Sequence, residues 1–142
     1  MAEKERHGLY IDIANRVAQE SHARRLQVGS IIVKEGRIIS MGWNGMPSGW
    51  ENNCEIELED GTLKTKPEVL HAESNAIAKL AKSTESGSGA DLYVTHAPCI
   101  DCAKLIHQSG ITRVFYGSDY RSPEGIYFLE KSNIEVKKLS DA

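Results

Sequence analysis

No stretch of this chain approaches the roughly 20 apolar residues that a membrane-spanning helix needs. The residues after Met1, Ala2-Glu3-Lys4-Glu5-Arg6, also lack the apolar core of a secretory signal. A membrane partner is therefore not expected, and a cytoplasmic location is. Cysteine is scarce at 3 residues, too few for a disulfide scaffold. Two of the three, Cys99 and Cys102, have the Cys-x-x-Cys spacing that in a reducing compartment more often holds metal or does redox work than forms a staple. A charge bias is missing too: 17 Lys and Arg stand against 20 Asp and Glu, a net charge of -3. That balance provides none of the basic excess that a polyanion-binding surface requires, so nucleic acid is not an expected partner. Proline is rare as well, 4 in all, and Pro47 and Pro67 both fall in one polar stretch. What is present suffices for one folded unit: 142 residues that are 40% hydrophobic can bury a core without staples, and a single domain spanning 1–142 is expected.

Along the chain, Tyr10, Ile13, Ala14 and Val17 mark the stripe of an amphipathic helix over residues 6 to about 22. Val28-Gly29-Ser30-Ile31-Ile32-Val33 and Arg37-Ile38-Ile39-Ser40-Met41-Gly42-Trp43 are β-branched runs separated by Lys34-Glu35-Gly36, the pattern of a hairpin turning at Gly36. The first run is apolar enough to be a central strand covered on both faces. Between 45 and 69 the periodicity fails, which predicts a lid, a binding loop or local disorder. A second helix follows from His71, with Ala72, Ala76, Ile77, Leu80 and Ala81 on one face. The run Ser83-Thr84-Glu85-Ser86-Gly87-Ser88-Gly89 then makes a surface loop. Leu92-Tyr93-Val94-Thr95 is a strand, Ile100 begins a helix closed by Gly110, and Arg113-Val114-Phe115-Tyr116 is another strand. Ser122 and Pro123 open a last helix, as cap and first-turn proline, and Ile134-Glu135-Val136 ends the pattern. Strands alternating with short helices after a hairpin imply an α/β sandwich, a mixed sheet with helices on both faces.

His71-Ala72-Glu73 and Pro98-Cys99-Ile100-Asp101-Cys102 each fall at a predicted helix start. Residues i and i+3 share a helical face, so both sulfurs can reach one ion, and a helix N-terminus stabilises thiolates. One imidazole and two thiolates make three ligands, the open catalytic form of a zinc site with its fourth position left for water. Glu73 then stands beside that position as a proton carrier that does not ligate the metal. Taken alone, Cys-x-x-Cys is also the pattern of a redox dithiol or half a structural zinc site; Cys54, as a fourth ligand, would complete a structural site, but it reads rather as a packed or exposed thiol. His96 and His107 lie outside the motif and read as solvated or hydrogen-bonded histidines.

The pairing of His-x-Glu with Pro-Cys-x-x-Cys is that of the zinc deaminases. From about Ser21 to Val136 the chain resembles the deoxycytidylate (dCMP) deaminase family within the cytidine deaminase-like superfamily. Besides the metal motifs, the resemblance is carried by Gly42-Trp43-Asn44-Gly45-Met46-Pro47-Ser48-Gly49 and by Ser118-Asp119-Tyr120-Arg121. Trp43 stands where a tyrosine is usual, and His22 where a small polar residue is more familiar. The resemblance implies a three-layer α/β/α sandwich with a mixed five-stranded sheet. It also implies zinc on His71, Cys99 and Cys102, with Glu73 moving protons in the hydrolysis of dCMP to dUMP and ammonia. In the same reading Asn44 holds the sugar, the backbone near Ala72 reads the pyrimidine, and Arg25, Tyr120 and Arg121 meet the phosphate end. A homo-oligomer, commonly a hexamer, is further implied, with dCTP and dTTP as effectors and magnesium accompanying a triphosphate. On residue type alone, Asn44-Gly45 also makes an ordinary turn, Arg24-Arg25 a solvated pair and Tyr120-Arg121 a plain loop.

Two enzyme classes and one non-enzyme class compete. A deaminase of nucleic-acid bases needs a basic track, whereas Glu55-Ile56-Glu57-Leu58-Glu59-Asp60 is acidic. A riboflavin-pathway deaminase would space its two cysteines more widely. A catalytically silent zinc module would have no use for Glu73.

Overall fold

The computed structural model describes residues 5–120 and 122–139. A hairpin opens the sheet, β1 (Gly29–Lys34) pairing antiparallel with β2 (Arg37–Trp43). Between them Glu35 and Gly36 both take positive φ, 52° and 74°, the mirror-image turn whose twist suits the flanking strands. The sheet order is β2-β1-β5-β6-β7, with β5 spanning Asp91–His96, β6 Arg113–Ser118 and β7 Glu135–Lys138. β1 is antiparallel to both its neighbours, while β5, β6 and β7 run parallel. Parallel neighbours need crossovers, which α3 (Ile100–Gln108) and α4 (Glu124–Lys131) supply.

The central place of β1 explains its unbroken apolar run. Ile31 and Val33 point to one face, where α1 (His7–Ala18) lays Ala14 and Val17 over them together with Tyr93 and Phe115. Ile32 points to the other, where Ala76 and Leu80 of α2 (Ala72–Leu80), Ala103 and Ile106 of α3 and Leu129 of α4 close over Leu92, Val94 and Val114. The layers are therefore helix, mixed five-stranded sheet and three helices, as the alternation of elements predicts. Among the described residues no helix is long and apolar enough to cross a membrane.

Three boundaries differ from the sequence expectation. The first helix stops at Ala18 rather than near His22. Its last turn tightens as Glu20 N–H donates to Val17 O at 3.0 Å and Ser21 N–H to Ala18 O at 3.1 Å. Ser21 Oγ then accepts from Ala23 N–H at 3.1 Å and donates to Asn44 O at 2.7 Å, diverting the chain. At the last helix Pro123, not Ser122, occupies the capping place, and Ser122 Oγ accepts from Glu124 N–H at 3.4 Å. The third difference is the stretch 45–69, which is an ordered excursion. Gly45 and Leu70 exchange backbone hydrogen bonds of 3.0 and 2.8 Å at its base. Within it β3 (Glu55–Glu57) and β4 (Leu63–Thr65) form a small antiparallel hairpin, with Gly61 at φ 83° in its turn. Strands of three residues are too short to leave a period-2 signature in sequence.

The helices lie close on the sheet where glycine removes a side chain. A Cβ on Gly42 would meet the Ala72 carbonyl oxygen and the Ala76 nitrogen of α2, and one on Gly29 would meet the backbone of α1. Gly42→Ala should therefore lift α2 and destabilise the fold by about 1–3 kcal/mol. In thermal denaturation that is a midpoint lower by roughly 3–10 °C. Gly8→Ala, whose added methyl meets nothing within 4 Å, serves as the control and should lower it little or not at all.

Candidate functional site

β5 leads through Ala97 and Pro98 to Cys99, which takes the capping place of α3, while Cys102 lies in that helix's first turn. His71 holds the equivalent place before α2. Neither His71 nor Cys99 uses its side chain to cap its own helix. His71 Nδ1 instead lies 3.5 Å from Cys99 Sγ and 3.3 Å from Cys102 Sγ, and the three donor atoms all fall within 4.8 Å of one another. The first turn of α2 is fixed from the sheet side. Ser30 Oγ donates to Ala72 O at 2.9 Å, Ser40 Oγ to Ala76 O at 2.7 Å and Asn75 Nδ2 to Trp43 O at 2.8 Å.

The three donors are linked by hydrogen bonds, and their ionisation shifts in different directions. The hydrogen bond between the two thiols, followed by that from His71, holds Cys99 down to about 4, while the same shared bond and burial drive Cys102 up. His71 is raised in turn, first by its bond to Cys99. Glu73, the second residue of α2, is 4% exposed. Burial pushes its carboxyl up to about 7, against the opposing pull of its own backbone N–H and of His71.

A cavity of about 150 Å³ is bounded by His71, Glu73 and Cys99 together with Arg25, Asn44, Ala72 and Tyr120. Six of the residues singled out from sequence thus share one wall with Cys99, and Cys102 joins them through His71. Arg121 lies outside the described residues. The Asn44 side chain also does a structural job, since Oδ1 accepts from Val28 N–H at 2.9 Å and Nδ2 donates to Leu26 O at 2.8 Å. Ala72 is fully buried, its carbonyl engaged by Ser30, and its N–H stands in the first turn, where helices lack internal acceptors. Arg25 Nη1 donates to Thr65 Oγ1 at 3.3 Å. Cys54 is a buried thiol in the cavity wall, 3.5 Å from Asn52 O, and stands apart from the metal-capable group.

Three wall residues escaped the sequence reading. His96 is hydrogen-bonded, as one of its two sequence readings has it, with Nδ1 2.9 Å from Thr95 Oγ1, but it also lines the cavity, half-buried. Glu55 and Thr65 come from the small hairpin in the excursion. No sequence signal marks either one, because each reaches the site through a tertiary contact with the segment around Arg25.

Residues 4–118 match the family model of the cytidine and deoxycytidylate deaminase zinc-binding region. The chain is 35% identical over 165 residues to the deoxycytidylate deaminase of Enterobacteria phage T4, covering 89% of this chain and 86% of that protein. It is 40% identical over 119 residues to the human deoxycytidylate deaminase, covering 78% of this chain but 63% of the human one. Among solved structures, the dCMP deaminase of the cyanophage S-TIM5, in complex with dCMP and dUMP, superposes with a TM-score of 0.88 at 46% identity and covers 98% of this chain and 100% of that one. The matched region takes in both helix starts that carry the three donor atoms, and the chain belongs to the cytidine and deoxycytidylate deaminase zinc-binding family.

Proposed function

We propose that this chain is a single deaminase domain that hydrolyses dCMP to dUMP and ammonia. His71, Cys99 and Cys102 would hold its zinc, and Glu73 moves the protons. The observation that carries the reading is the shared cavity: His71, Cys99 and Glu73 adjoin, in one wall, the arginine, asparagine and tyrosine that a nucleotide's sugar and phosphate would meet, with Cys102 behind them against His71. One nitrogen and two sulfurs within 4.8 Å of one another are the donor set zinc prefers, and three ligands leave the site open. Bound there, zinc supplies the Lewis acidity that makes water reactive near neutral pH.

The chain's own residues do the rest. The Glu73 carboxylate takes a proton from the water that adds to the amine-bearing ring carbon. It delivers that proton to the ring nitrogen, then takes the second from the hydroxyl now on the ring carbon and passes it to the amine, which leaves as ammonia while the carbonyl forms. A carboxyl raised to about 7 is matched to both halves of that task. In this reading the Ala72 N–H reads the pyrimidine, and Asn44, with one amide hydrogen left beyond its bond to Leu26, holds the sugar. Arg25, Tyr120 and Arg121 meet the phosphate. A silent zinc module is the weaker reading, because a carboxyl buried at the cost of its ionisation is a burden that a structural site has no reason to carry. A nucleic-acid substrate is opposed by exposed Glu57, Glu59 and Asp60 on the hairpin that contributes Glu55 and Thr65 to the cavity.

Ammonia release from a panel of cytosine, adenine and guanine compounds tests the reaction, with dCMP expected to be the best substrate. Metal analysis should give one zinc per chain. Glu73→Gln should keep that zinc and lose roughly 10²-fold or more in kcat; near-normal turnover, or two zincs, would count against these roles.

Arg25→Ala should lower kcat/KM for dCMP by about tenfold or more, with deoxycytidine affected far less and zinc content unchanged. Equal losses for the two substrates would mean that Arg25 supports the fold rather than the phosphate.

Assembly and regulation complete the proposal: a homo-oligomer, hexameric by family resemblance, that dCTP and dTTP tune, with magnesium entering as the triphosphate's counter-ion. Exposed Trp50, Ile56, Leu58 and Leu70, all on or at the foot of the excursion, give it apolar surface for a neighbouring subunit. Light scattering should return a multiple of the chain mass, and initial rates should respond to both effectors. A monomer with hyperbolic, effector-indifferent kinetics would dispose of this part.

A further inference from the structure

Glu55 is 2% exposed, yet it belongs to the wall of the substrate cavity. Its Oε2 accepts two consecutive backbone N–H groups, Arg24 at 2.9 Å and Arg25 at 3.0 Å. Its Oε1 has no hydrogen-bond partner among the described residues and lies 3.5 Å from Arg24 Nε. The neighbouring side chains repeat the connection: Arg24 Nη2 donates to Asn53 Oδ1 at 3.3 Å and Arg25 Nη1 to Thr65 Oγ1 at 3.3 Å. The segment between α1 and β1 and the small hairpin are thus clipped together at the two arginines, with one ionised carboxylate as the central acceptor. Charge-assisted bonds from two adjacent N–H groups fix the local backbone more tightly than neutral ones would.

The two arginines are thereby given different tasks. An anion buried in the wall of a cavity meant for a phosphate would repel it, so its charge must be met locally. Arg24 meets it through Nε, while the Arg25 guanidinium turns to the cavity and to Thr65.

We infer that Glu55 is a positioning residue for the substrate's phosphate: by anchoring the Arg24 and Arg25 backbone and pairing with Arg24, it presents Arg25 to the cavity as the net positive group. This rests on the reading of the chain as a dCMP deaminase with Arg25 at the phosphate. Glu55 touches neither the reacting carbon nor the phosphate, so its removal should act on KM and on the preference for nucleotide over nucleoside rather than on kcat.

The experiment measures kcat and KM for dCMP and deoxycytidine in zinc-loaded wild type, Glu55→Ala, Glu55→Gln, Arg25→Ala and the Glu55→Ala/Arg25→Ala double variant. Glu55→Ala should reduce the dCMP preference about tenfold or more, mostly through KM, with one zinc retained. Glu55→Gln keeps an oxygen for both N–H groups but loses the charge that pairs with Arg24, and should fall between wild type and Glu55→Ala. In the Arg25→Ala background Glu55→Ala should cause no further loss, since it acts only through that arginine. If Glu55→Ala does not fold, Glu55→Asp, which withdraws the carboxylate by one methylene, is measured in its place, alone and in the double variant. An unchanged preference, losses that add in the double variant, or a Glu55→Gln protein as impaired as Glu55→Ala overturns the inference. Absence of dCMP turnover in wild type would instead remove the functional reading on which it stands.

Discussion

The site depends on a contact that contains almost no side chain, the seating of α2 on the hairpin β1–β2. Gly42 lets the α2 backbone approach β2 until a methyl group would not fit, and the hydroxyls of Ser30 and Ser40 and the amide of Asn75 fasten the helix at that depth. The same device recurs at the other metal-bearing helix start, where a Cβ on Gly125 would meet the backbone of Pro98 and Cys99. His71 and Glu73 ride on the first contact, and Cys99 and Cys102 on the second. Close-packed backbone has little freedom to relax, so the distances among the three donors are set by the sheet and its glycines rather than by the donors themselves.

The chain keeps several charges out of water at this end of the sheet, and each is offset by a different means. The Cys99 thiolate has the Cys102 thiol, the imidazole of His71 and a helix N-terminus. Glu73 has little beyond its own N–H, and its carboxyl accordingly resists ionisation. Glu55 has two backbone donors and a guanidinium and is held below the usual carboxylate range despite its burial. Two carboxyls in one cavity wall are thus poised for opposite states, one ready to exchange a proton and the other steadily ionised.

This division was only half legible in the sequence. His71, Glu73, Cys99 and Cys102 could be read because their relation is local: the spacings place them at two helix starts, and helix geometry does the rest. β1 could be read because burial on both faces leaves an unbroken apolar run. Glu55 and Thr65 could not, because their relation to Arg25 spans some thirty to forty residues and depends on strands of three residues that carry no periodic signal. The end of α1 was misplaced for a related reason. The turn at Ser21 is decided by a bond to Asn44, a residue far along the chain. Asn44 itself was weighed as either turn former or sugar contact, and its side chain proves to be a clasp on Leu26 and Val28 whatever else it holds.

The base of the excursion has a consequence for how this fold can vary. Gly45 and Leu70 are held together by a reciprocal pair of backbone bonds, so the residues between them form a loop closed at its base, outside the five-stranded sheet, and held further along by Glu55 and Thr65 at Arg24 and Arg25. The entropy of closing such a loop rises only with the logarithm of its length, and doubling it adds about 0.6 kcal/mol. The sheet and the two metal-bearing helix starts are therefore insulated from insertions and deletions there. Specificity for what lies beyond the base can be rewritten in length as well as in sequence, while the reactive centre keeps its geometry.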